Sequence, residues 1–344
     1  MATADLVMSF TYAKAGVDIR KVKRIHGDIA QIISKTFSTR KGRFGKVLDI
    51  RQHYAGLIDI SGGKALALHS DGVGTKVLVA LMLEKYEGIG IDCVAMNVND
   101  LICLGAEPVA LVDYLALEKP NRELVEAVTR GLYKGALEAG VAIVSGETAI
   151  MPDVIKGFDL SATGIGVVKK DRIIEGTKVK VGDSIIGLPS TGIHSNGLTL
   201  ARKVLLRRFD RRIVNMLLTP TRIYVKPIMK LLKSGIDVHG MAHITGGAYS
   251  KLRRIGERAR VGFHLNKLFQ PQEIFELIQR SGKITDREMY RTFNMGTGFL
   301  VMVREEDEKE TLKTLQRSRT VGKVIQERKV IVQTTTERID VERW

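Results

Sequence analysis

The sequence has few of the residues that define disulfide-rich, membrane-embedded or cysteine-dependent proteins. It has two cysteines in 344 residues, Cys93 and Cys103, and they show neither metal-type spacing nor a disulfide framework. No apolar run reaches the length of a membrane span, and residues 1–10 lack the basic-then-apolar layout of a signal peptide. We therefore expect a protein of the reducing cytoplasm, without cysteine catalysis and without a membrane partner.

Aromatic residues make up only 6% of the chain, whereas basic residues give it a formal net charge of +16. A basic chain suits nucleic-acid binding, but it equally suits an enzyme that acts on phosphorylated anions. The one dense basic cluster, at residues 207–212, has little of the aromatic interleaving that a stacking platform needs. We interpret that cluster as a solvated helix face and do not expect nucleic acid as the main partner.

Apolar periodicity alternates between strand-like and helix-like segments, which predicts an α/β or α+β protein with sites on the loops after strands. Asn121 and Gly140 are the expected caps of one helix. A charged stretch at 169–172 places a domain boundary at about residue 170, giving domains of residues 1–170 and 171–344. The other predicted helices span 198–208 and 224–233, and the predicted strands span 141–144, 161–168, 183–188, 298–303 and 329–334.

Chemistry-bearing residues are concentrated in His-Ser-Asp-Gly-Val-Gly-Thr-Lys at 69–76. The apolar run at 65–68 predicts a buried strand that ends in a tight turn at Asp71. Glycines there let backbone N–H groups approach a phosphate, while a lysine adds charge and Asp71 offers a hard oxygen for a divalent cation. The nucleotide-binding candidates of this motif are Gly72, Gly74, Thr75 and Lys76. The Walker A pattern is absent, and an ordinary strand–turn–strand stays open as the alternative.

Acidic and amide side chains also interrupt an otherwise apolar helical pattern at 90–104. Asn97 and Asp100 are three residues apart and share one face, and Asp92 lies two turns before Asp100. Glu147 follows the predicted strand 141–144. Carboxylates beside so apolar a surface need a cation or a donor. We predict Asp71, Asp100 and Glu147 as ligands of one or two Mg²⁺ ions against nucleotide phosphates; the alternative is that Asp92 and Glu147 cap helices.

A second ligand-binding pattern, Ser-Thr-Gly-Ile-His-Ser-Asn-Gly at 190–197, joins a predicted strand to a predicted helix. Glycines, hydroxyls and an imidazole at a helix N-terminus suit an anion, and a hydroxyl-rich cap without a ligand is the alternative. His239 and His243 lie close to another glycine-rich turn at 245–247. A lone histidine is more often structural than catalytic, so neither is assigned a catalytic role.

Taken in order, these motifs resemble those of the phosphoribosylformylglycinamidine cyclo-ligases, also called aminoimidazole ribonucleotide synthetases. The similarity extends from residue 12 to about residue 303 and rests on HSDGVGTK, GIDCVAMNVNDLICLGAEP, SGETAIMP, STGIHSNG, PTRIYVKP, HITGG and MYRTFNMGTG. It implies a two-domain fold whose N-terminal domains pair their sheets across a homodimer. It also implies that ATP and Mg²⁺ are used to close the imidazole ring of formylglycinamidine ribonucleotide, through an iminophosphate and with release of ADP and phosphate, in purine biosynthesis.

The resemblance also implies roles for the residues singled out above. Asp71 and Lys76 are expected to be catalytic, and His194 is the candidate for a polar or proton-transfer role. ATP is expected to contact Gly72, Gly74, Thr75, Lys76, Asp92 and Asn97. The phosphate end of the ribonucleotide is expected to contact Ser195, Asn196, Gly197, Gly246 and Gly247.

Three alternative functions stay open from the sequence. A selenophosphate synthetase of the same superfamily would need a reactive cysteine in a glycine-rich segment before Asp71, and none is present. A thiamine-phosphate kinase is expected to lack the STGIHSNG and MYRTFN matches. A basic nucleic-acid-binding protein would show affinity that falls steeply with salt.

Overall fold

The computed structural model describes residues 11, 15–16, 19–49, 53–206 and 209–341, with the side chains of 19–24 excepted. Residues 207–208 of the predicted basic cluster lie outside this range. The rest of that cluster begins a helix, where Asp210 accepts hydrogen bonds from the N–H groups of Arg212 and Ile213. None of the helices in the described ranges has the length and apolar character needed to span a bilayer.

Six strands build the first sheet: β1 (Lys46–Leu48), β2 (Gly56–Asp59), β3 (Lys64–Gly72), β4 (Glu107–Leu117), β5 (Ala142–Ile150) and β6 (Phe158–Lys169). Their spatial order is β1-β2-β3-β6-β4-β5, so β5 lies at an edge. β4 and β5 are parallel, because a helix connects them, and the other neighbours are antiparallel.

Four helices accompany this sheet: α1 (Ile19–Ile33), α2 (Val77–Leu83), α3 (Glu87–Ile102) and α4 (Arg122–Ala139). Asn121 caps α4 by accepting from Leu124 N at 3.0 Å, and Gly140 ends it in the left-handed region, which confirms both predicted caps. The backbones of α3 and α4 nearly touch, since a Cβ on Gly131 would lie 1.8 Å from Glu87 O. α3 thereby becomes almost completely buried between α4 and the sheet.

Seven strands build the second sheet: β7 (Ser184–Pro189), β8 (Val238–His243), β9 (Gly262–Leu265), β10 (Thr297–Val303), β11 (Arg319–Ile325), β12 (Val330–Gln333) and β13 (Arg338–Asp340). Their order is β13-β12-β9-β11-β7-β10-β8. The second half also contains α5 (Leu198–Leu205), α6 (Arg211–Leu217), α7 (Val225–Lys233), α8 (Leu252–Ala259), α9 (Glu273–Gly282), α10 (Asp286–Thr292) and α11 (Glu308–Thr314). Every residue of β8 and β10 is buried, as expected for apolar strands that are covered on both faces.

The mixed α/β class is confirmed, and the sheets draw on separate parts of the chain, residues 46–169 and 184–340. The boundary at about residue 170 stays a prediction. Two predicted strand ends are corrected: β3 continues through Asp71, paired with Ala162, and β5 continues through Glu147, paired with Tyr114. Both strands run past their apolar residues because a neighbouring strand holds the backbone of the polar ones.

Candidate active site

The carboxylates of Asp71, on β3, and Asp100, on α3, meet beside His69. His69 Nε2 lies 4.0 Å from Asp71 Oδ2 and 3.6 Å from Asp100 Oδ2. The Asp71 side chain is 38% exposed, whereas that of Asp100 is 8% exposed. Burial raises the pKa of Asp71, and the negative charge of Asp100 raises it further. Asp71 is therefore the accessible oxygen donor of the pair, and a cation would relieve its repulsion from Asp100.

A histidine of the second half of the chain completes this cluster. His243 ends β8, and its Nδ1 forms a 2.7 Å hydrogen bond with Asp100 Oδ1. Although burial opposes ionisation, Lys251 and the bond to His243 hold the pKa of Asp100 well below its usual range. Lys251 bonds Thr245 and lies 5.2 Å from the centre of the Tyr54 ring. The motifs around residues 71, 100 and 243 therefore form one site.

Asn97 fixes the position of Asp71 from the next turn of α3. Its side-chain oxygen accepts from Asp71 N at 3.1 Å, and its amide donates to Asp71 O at 3.2 Å. Asn97 is fully buried. We predicted a contact between this side chain and ATP; the structure instead uses it to hold the backbone that presents the Asp71 carboxylate.

Lys76 and Asp92 also occupy positions that differ from those predicted. Lys76 Nζ lies 2.7 Å from Asp92 Oδ2 and donates to Thr219 O at 2.7 Å, and both charged side chains are fully buried. Burial lowers the pKa of Lys76, and the neighbouring Asp92 opposes that shift. Neither group offers an open charge to a phosphate here, because each neutralises the other. Thr75 stays exposed and bonds Thr199, and Gly74 is free of close contacts.

Glu147 does not join the predicted metal set. Three strand spacings separate β5 from β3, which amounts to about 14 Å. Glu147 pairs across the sheet with Tyr114 and Ser161, whereas Asp71 pairs with Ala162, the next residue along β6. Because successive side chains of a strand point to opposite faces, Glu147 and Asp71 lie on opposite faces of the sheet. Across the described residues, no three His, Cys, Asp or Glu side chains are grouped so that they could hold a metal ion. One chain therefore unites Asp71 and Asp100 but not Glu147.

The predicted substrate loops, 194–197 and 245–247, do come together. A Cβ on Gly246 would lie 2.9 Å from Asn196 Oδ1, so glycine allows the two loops to meet. Gly197 begins α5 with φ at 72°, and a Cβ there would lie 2.2 Å from the Phe293 ring. The amide nitrogen of Asn196 is buried and has no partner in the described part of the chain. A buried donor of this kind needs an acceptor, which a bound ligand or an ordered water can supply.

His194 packs beneath the same loop. It is fully buried with φ at 59°, and its Nε2 accepts from Thr191 N at 3.3 Å. Burial lowers its pKa well below the ordinary value, and the charges of His243 and Lys76 act in the same direction. The ring is therefore neutral, which suits the predicted polar role better than the uptake of a proton.

Sequence reasoning assigned no role to several residues of the site. Asn99 donates to Arg222 O at 2.8 Å and accepts from Tyr224 N at 2.9 Å, so α3 binds the 219–224 segment directly. The signal was present, because Asn99 is a polar residue inside an apolar helical pattern. Thr221 and Lys251 carried no such signal. A cavity of about 660 Å³ opens beside His69, between α1 and the first three strands.

Two family models match the chain, one for each half. The AIR synthase related protein N-terminal domain matches residues 52–168, and the AIR synthase related protein C-terminal domain matches residues 180–335. Fold and site thus define a two-domain protein of the AIR synthase related class.

Named relatives narrow that class. A phosphoribosylformylglycinamidine cyclo-ligase of Pyrococcus furiosus is 53% identical over 314 residues, covering 89% of this chain and 92% of the relative. One of Pyrococcus horikoshii is 48% identical over 327 residues, covering 92% of this chain and 96% of the relative. The chain belongs to the phosphoribosylformylglycinamidine cyclo-ligase family.

Solved structures share the fold at lower identity. A HypE–HypF complex gives a TM-score of 0.67 at 21% identity, covering 91% of this chain and 99% of that chain. A hydrogenase maturation protein HypE in complex with ATP gives 0.61 at 21% identity, covering 84% and 87%. A structure titled AaThiL complexed with AMPPCP and TMP gives 0.64 at 16% identity, covering 91% and 95%. The kinase alternative is therefore a distant neighbour, and nucleotide binding occurs among proteins of this fold.

Proposed function

We propose that the chain is a cytoplasmic, ATP-dependent ligase that closes the imidazole ring of formylglycinamidine ribonucleotide, giving aminoimidazole ribonucleotide, ADP and phosphate. The observation that carries this proposal is the 2.7 Å bond between Asp100 and His243. It joins an acidic motif of the first half to the glycine-rich turn of the second half. The membership of the cyclo-ligase family supports the same activity.

The reaction needs a poor leaving group to be activated. The formyl amide oxygen attacks the γ-phosphorus of ATP, ADP leaves, and an iminophosphate forms. The neighbouring amidine nitrogen then attacks the activated carbon, and the former amide oxygen leaves with phosphate. The second step is intramolecular, so the protein contributes mainly by positioning and by neutralising charge. This chemistry suits a site of carboxylates, glycines and buried amide donors.

Asp71 and Asp100 fit a magnesium ion bound together with ATP. Two carboxylates converge, one is accessible, and burial together with the charge of Asp100 raises the pKa of Asp71. Protein sites for Mg²⁺ often supply one or two carboxylates and leave the other positions to phosphates and water. When bound, the ion supplies positive charge against the transferred phosphoryl group. Asp71 would hold it, and Asp100 would add negative charge behind it.

The loops at 194–197 and 245–247 are the proposed binding site for the ribonucleotide. The buried amide nitrogen of Asn196 has no partner within the described residues, and we propose that it donates to an acceptor of the substrate. The N–H groups at the start of α5 add further donors for an anion. ATP is proposed to lie on the side of Asp71, next to Gly74 and Thr75, which are both exposed.

The test is ADP release by the purified protein with ATP and Mg²⁺, with and without formylglycinamidine ribonucleotide. We expect ADP release that depends on the ribonucleotide, with one imidazole product formed for each ADP. Asp71→Asn should reduce kcat at least about a hundredfold, because it removes the accessible charge of the site. Asp159→Asn, at an exposed carboxylate of β6, is the matched control and should leave the rate unchanged.

ATP turnover that ignores the ribonucleotide would overturn the ring-closure proposal. The protein would then still be an ATP-using enzyme of this fold, and other acceptors of the phosphoryl group would have to be tested. Affinity for DNA or RNA that falls steeply with salt, without any turnover, would favour the nucleic-acid-binding alternative.

A homodimer formed through the first sheet is also proposed. β5 is an edge strand with almost every residue exposed, including Val144 at 62% and Ile150 at 45%. Tyr114, on the neighbouring strand β4, is also 41% exposed, on the sheet face opposite to that of Ile150. Open edges and apolar sheet faces call for a covering partner, and the family resemblance points to a second copy. Light scattering of the wild type should give a mass twice that of one chain, and Val144→Asp should lower the measured mass toward that of the monomer. A wild-type mass equal to one chain would refute the proposal.

A further inference from the structure

A buried hydrogen-bond network connects the Asp71 motif to the ribonucleotide loop. It begins at Lys76, five residues after Asp71, and continues through Asp92 on α3. Asp92 Oδ1 accepts from Thr221 N at 2.7 Å and from Thr221 Oγ1 at 2.5 Å. Thr221 Oγ1 then lies 3.3 Å from Ser195 Oγ. Every link crosses between segments that are distant in sequence.

The burial of this network fixes the direction of its hydrogen bonds. Asp92 is fully buried beside the Lys76 ammonium, so its carboxylate is a strong acceptor. The Thr221 hydroxyl therefore donates its proton to Asp92 and has only acceptor capacity left for Ser195. Ser195 in turn donates its hydroxyl proton to Thr221 and turns its side chain toward the protein. The loop thus offers its backbone N–H groups and the Asn196 amide to a ligand.

We propose that Thr221 is a positioning residue for the ribonucleotide: anchored by the buried Asp92–Lys76 pair, its hydroxyl holds Ser195 and thereby sets the 194–197 loop relative to Asp71. This inference rests on the proposed function for its substrate, but it also predicts a property of the free protein. Two neighbouring contacts act in the same direction. Thr191 Oγ1 donates to Pro220 O at 2.6 Å, and Thr219 O accepts from Lys76.

The test compares Thr221→Val with Thr221→Ser. Valine removes the hydroxyl but leaves the backbone bond to Asp92, whereas serine keeps both, so serine is the matched control. For Thr221→Val we expect KM for the ribonucleotide to rise about tenfold, the size of one lost hydrogen bond, while KM for ATP stays within about twofold. Thr221→Ser should behave as the wild type.

Ser195→Ala breaks the same bond from the loop side and leaves the contacts of Asp92 with Lys76 and Thr221 in place. It should reproduce the KM shift, and the double variant with Thr221→Val should be no worse than either single one, because all three lack the same contact. This variant also decides the question if Thr221→Val fails to fold.

Amide hydrogen exchange of the free protein separates this inference from the proposed function, because it needs no substrate. Residues 194–197 should exchange faster in Thr221→Val and Ser195→Ala than in Thr221→Ser. Unchanged exchange in that loop, an equal rise of both KM values, or a Thr221→Ser variant as impaired as Thr221→Val would each overturn the positioning role. A wild type that exchanges as expected but does not act on the ribonucleotide would overturn the proposed function alone.

Discussion

Replacing Lys76 by methionine should destabilise the protein far more than a surface lysine would. The change removes the ammonium that faces Asp92 and leaves a fully buried carboxylate without its counter-charge. Breaking a buried ion pair by removing one partner costs about 3–5 kcal/mol. Asp92 keeps two hydrogen bonds from Thr221, so we expect the lower end of that range. A loss of about 3 kcal/mol is a large part of the stability of an ordinary domain.

Removing both charges should restore much of this loss. In Lys76→Met combined with Asp92→Asn, the neutral amide oxygen still accepts from Thr221 N and from the Thr221 hydroxyl, and no buried charge is left. The double variant should therefore lie within about 1–2 kcal/mol of the wild type.

Urea unfolding followed by circular dichroism, at one fixed protomer concentration, measures both variants. Lys119→Met, at an exposed lysine, is the control and should change stability by less than about 0.5 kcal/mol. The reasoning fails if Lys76→Met lies within about 1 kcal/mol of the wild type, or if the double variant loses the sum of its two single changes.

Three further predictions concern stability and ligand binding. Burial, and next the charge of Arg258, lowers the pKa of His53 to about 4. As the pH falls below about 6.5, His53 is therefore protonated in the unfolded chain but stays neutral in the folded protein, which lowers the free energy of unfolding. Urea unfolding should show about 2 kcal/mol more loss between about pH 7.5 and pH 5 in the wild type than in His53→Gln; equal losses would contradict this. Gly131→Ala should lower the free energy of unfolding by about 2 kcal/mol or more, because the new Cβ would clash with Glu87 O. Gly27→Ala is the control: it has open space around it and should raise the free energy of unfolding by up to about 1 kcal/mol in the same assay. Gly197→Ala should raise KM for the ribonucleotide at least about tenfold and leave ATP binding unchanged, since the residue has a positive φ; an unaltered KM would argue against the loop as the substrate site.

Sequence reasoning located the motifs of the site well, because each is a local pattern of polar residues beside an apolar run. Asp71 and Asp100 meet at His69, and the ring of His243, which bonds Asp100, lies 6.4 Å from the ring of His194. Local patterns do not reveal which distant side chains pair, and so Lys76 was interpreted as a phosphate ligand although Asp92 neutralises it.

The role predicted for Glu147 failed for a different physical reason. The apolar pattern predicts a strand that ends at Val144, but pairing with β4 extends β5 through Ile150 and places Glu147 on the face of the sheet opposite to that of Asp71. Strand pairing is a non-local property, and a register row decides which face a side chain occupies. The pattern of α3 singles out Asn97 but suggests a different role for it, and no local pattern singles out Thr221, because the partners of both residues come from other segments of the chain.

One consequence follows from the way α3 is bonded. Four polar residues of this one helix bond three other segments. Asp92 and Asn99 bond the 219–224 segment, Asn97 bonds β3, and Asp100 bonds β8. A hinge motion that separated the two halves would break the bonds of Asp92, Asn99 and Asp100 together and leave several buried polar groups without partners. We therefore expect the two halves of the chain to stay together and ligands to approach from the exposed side of Asp71.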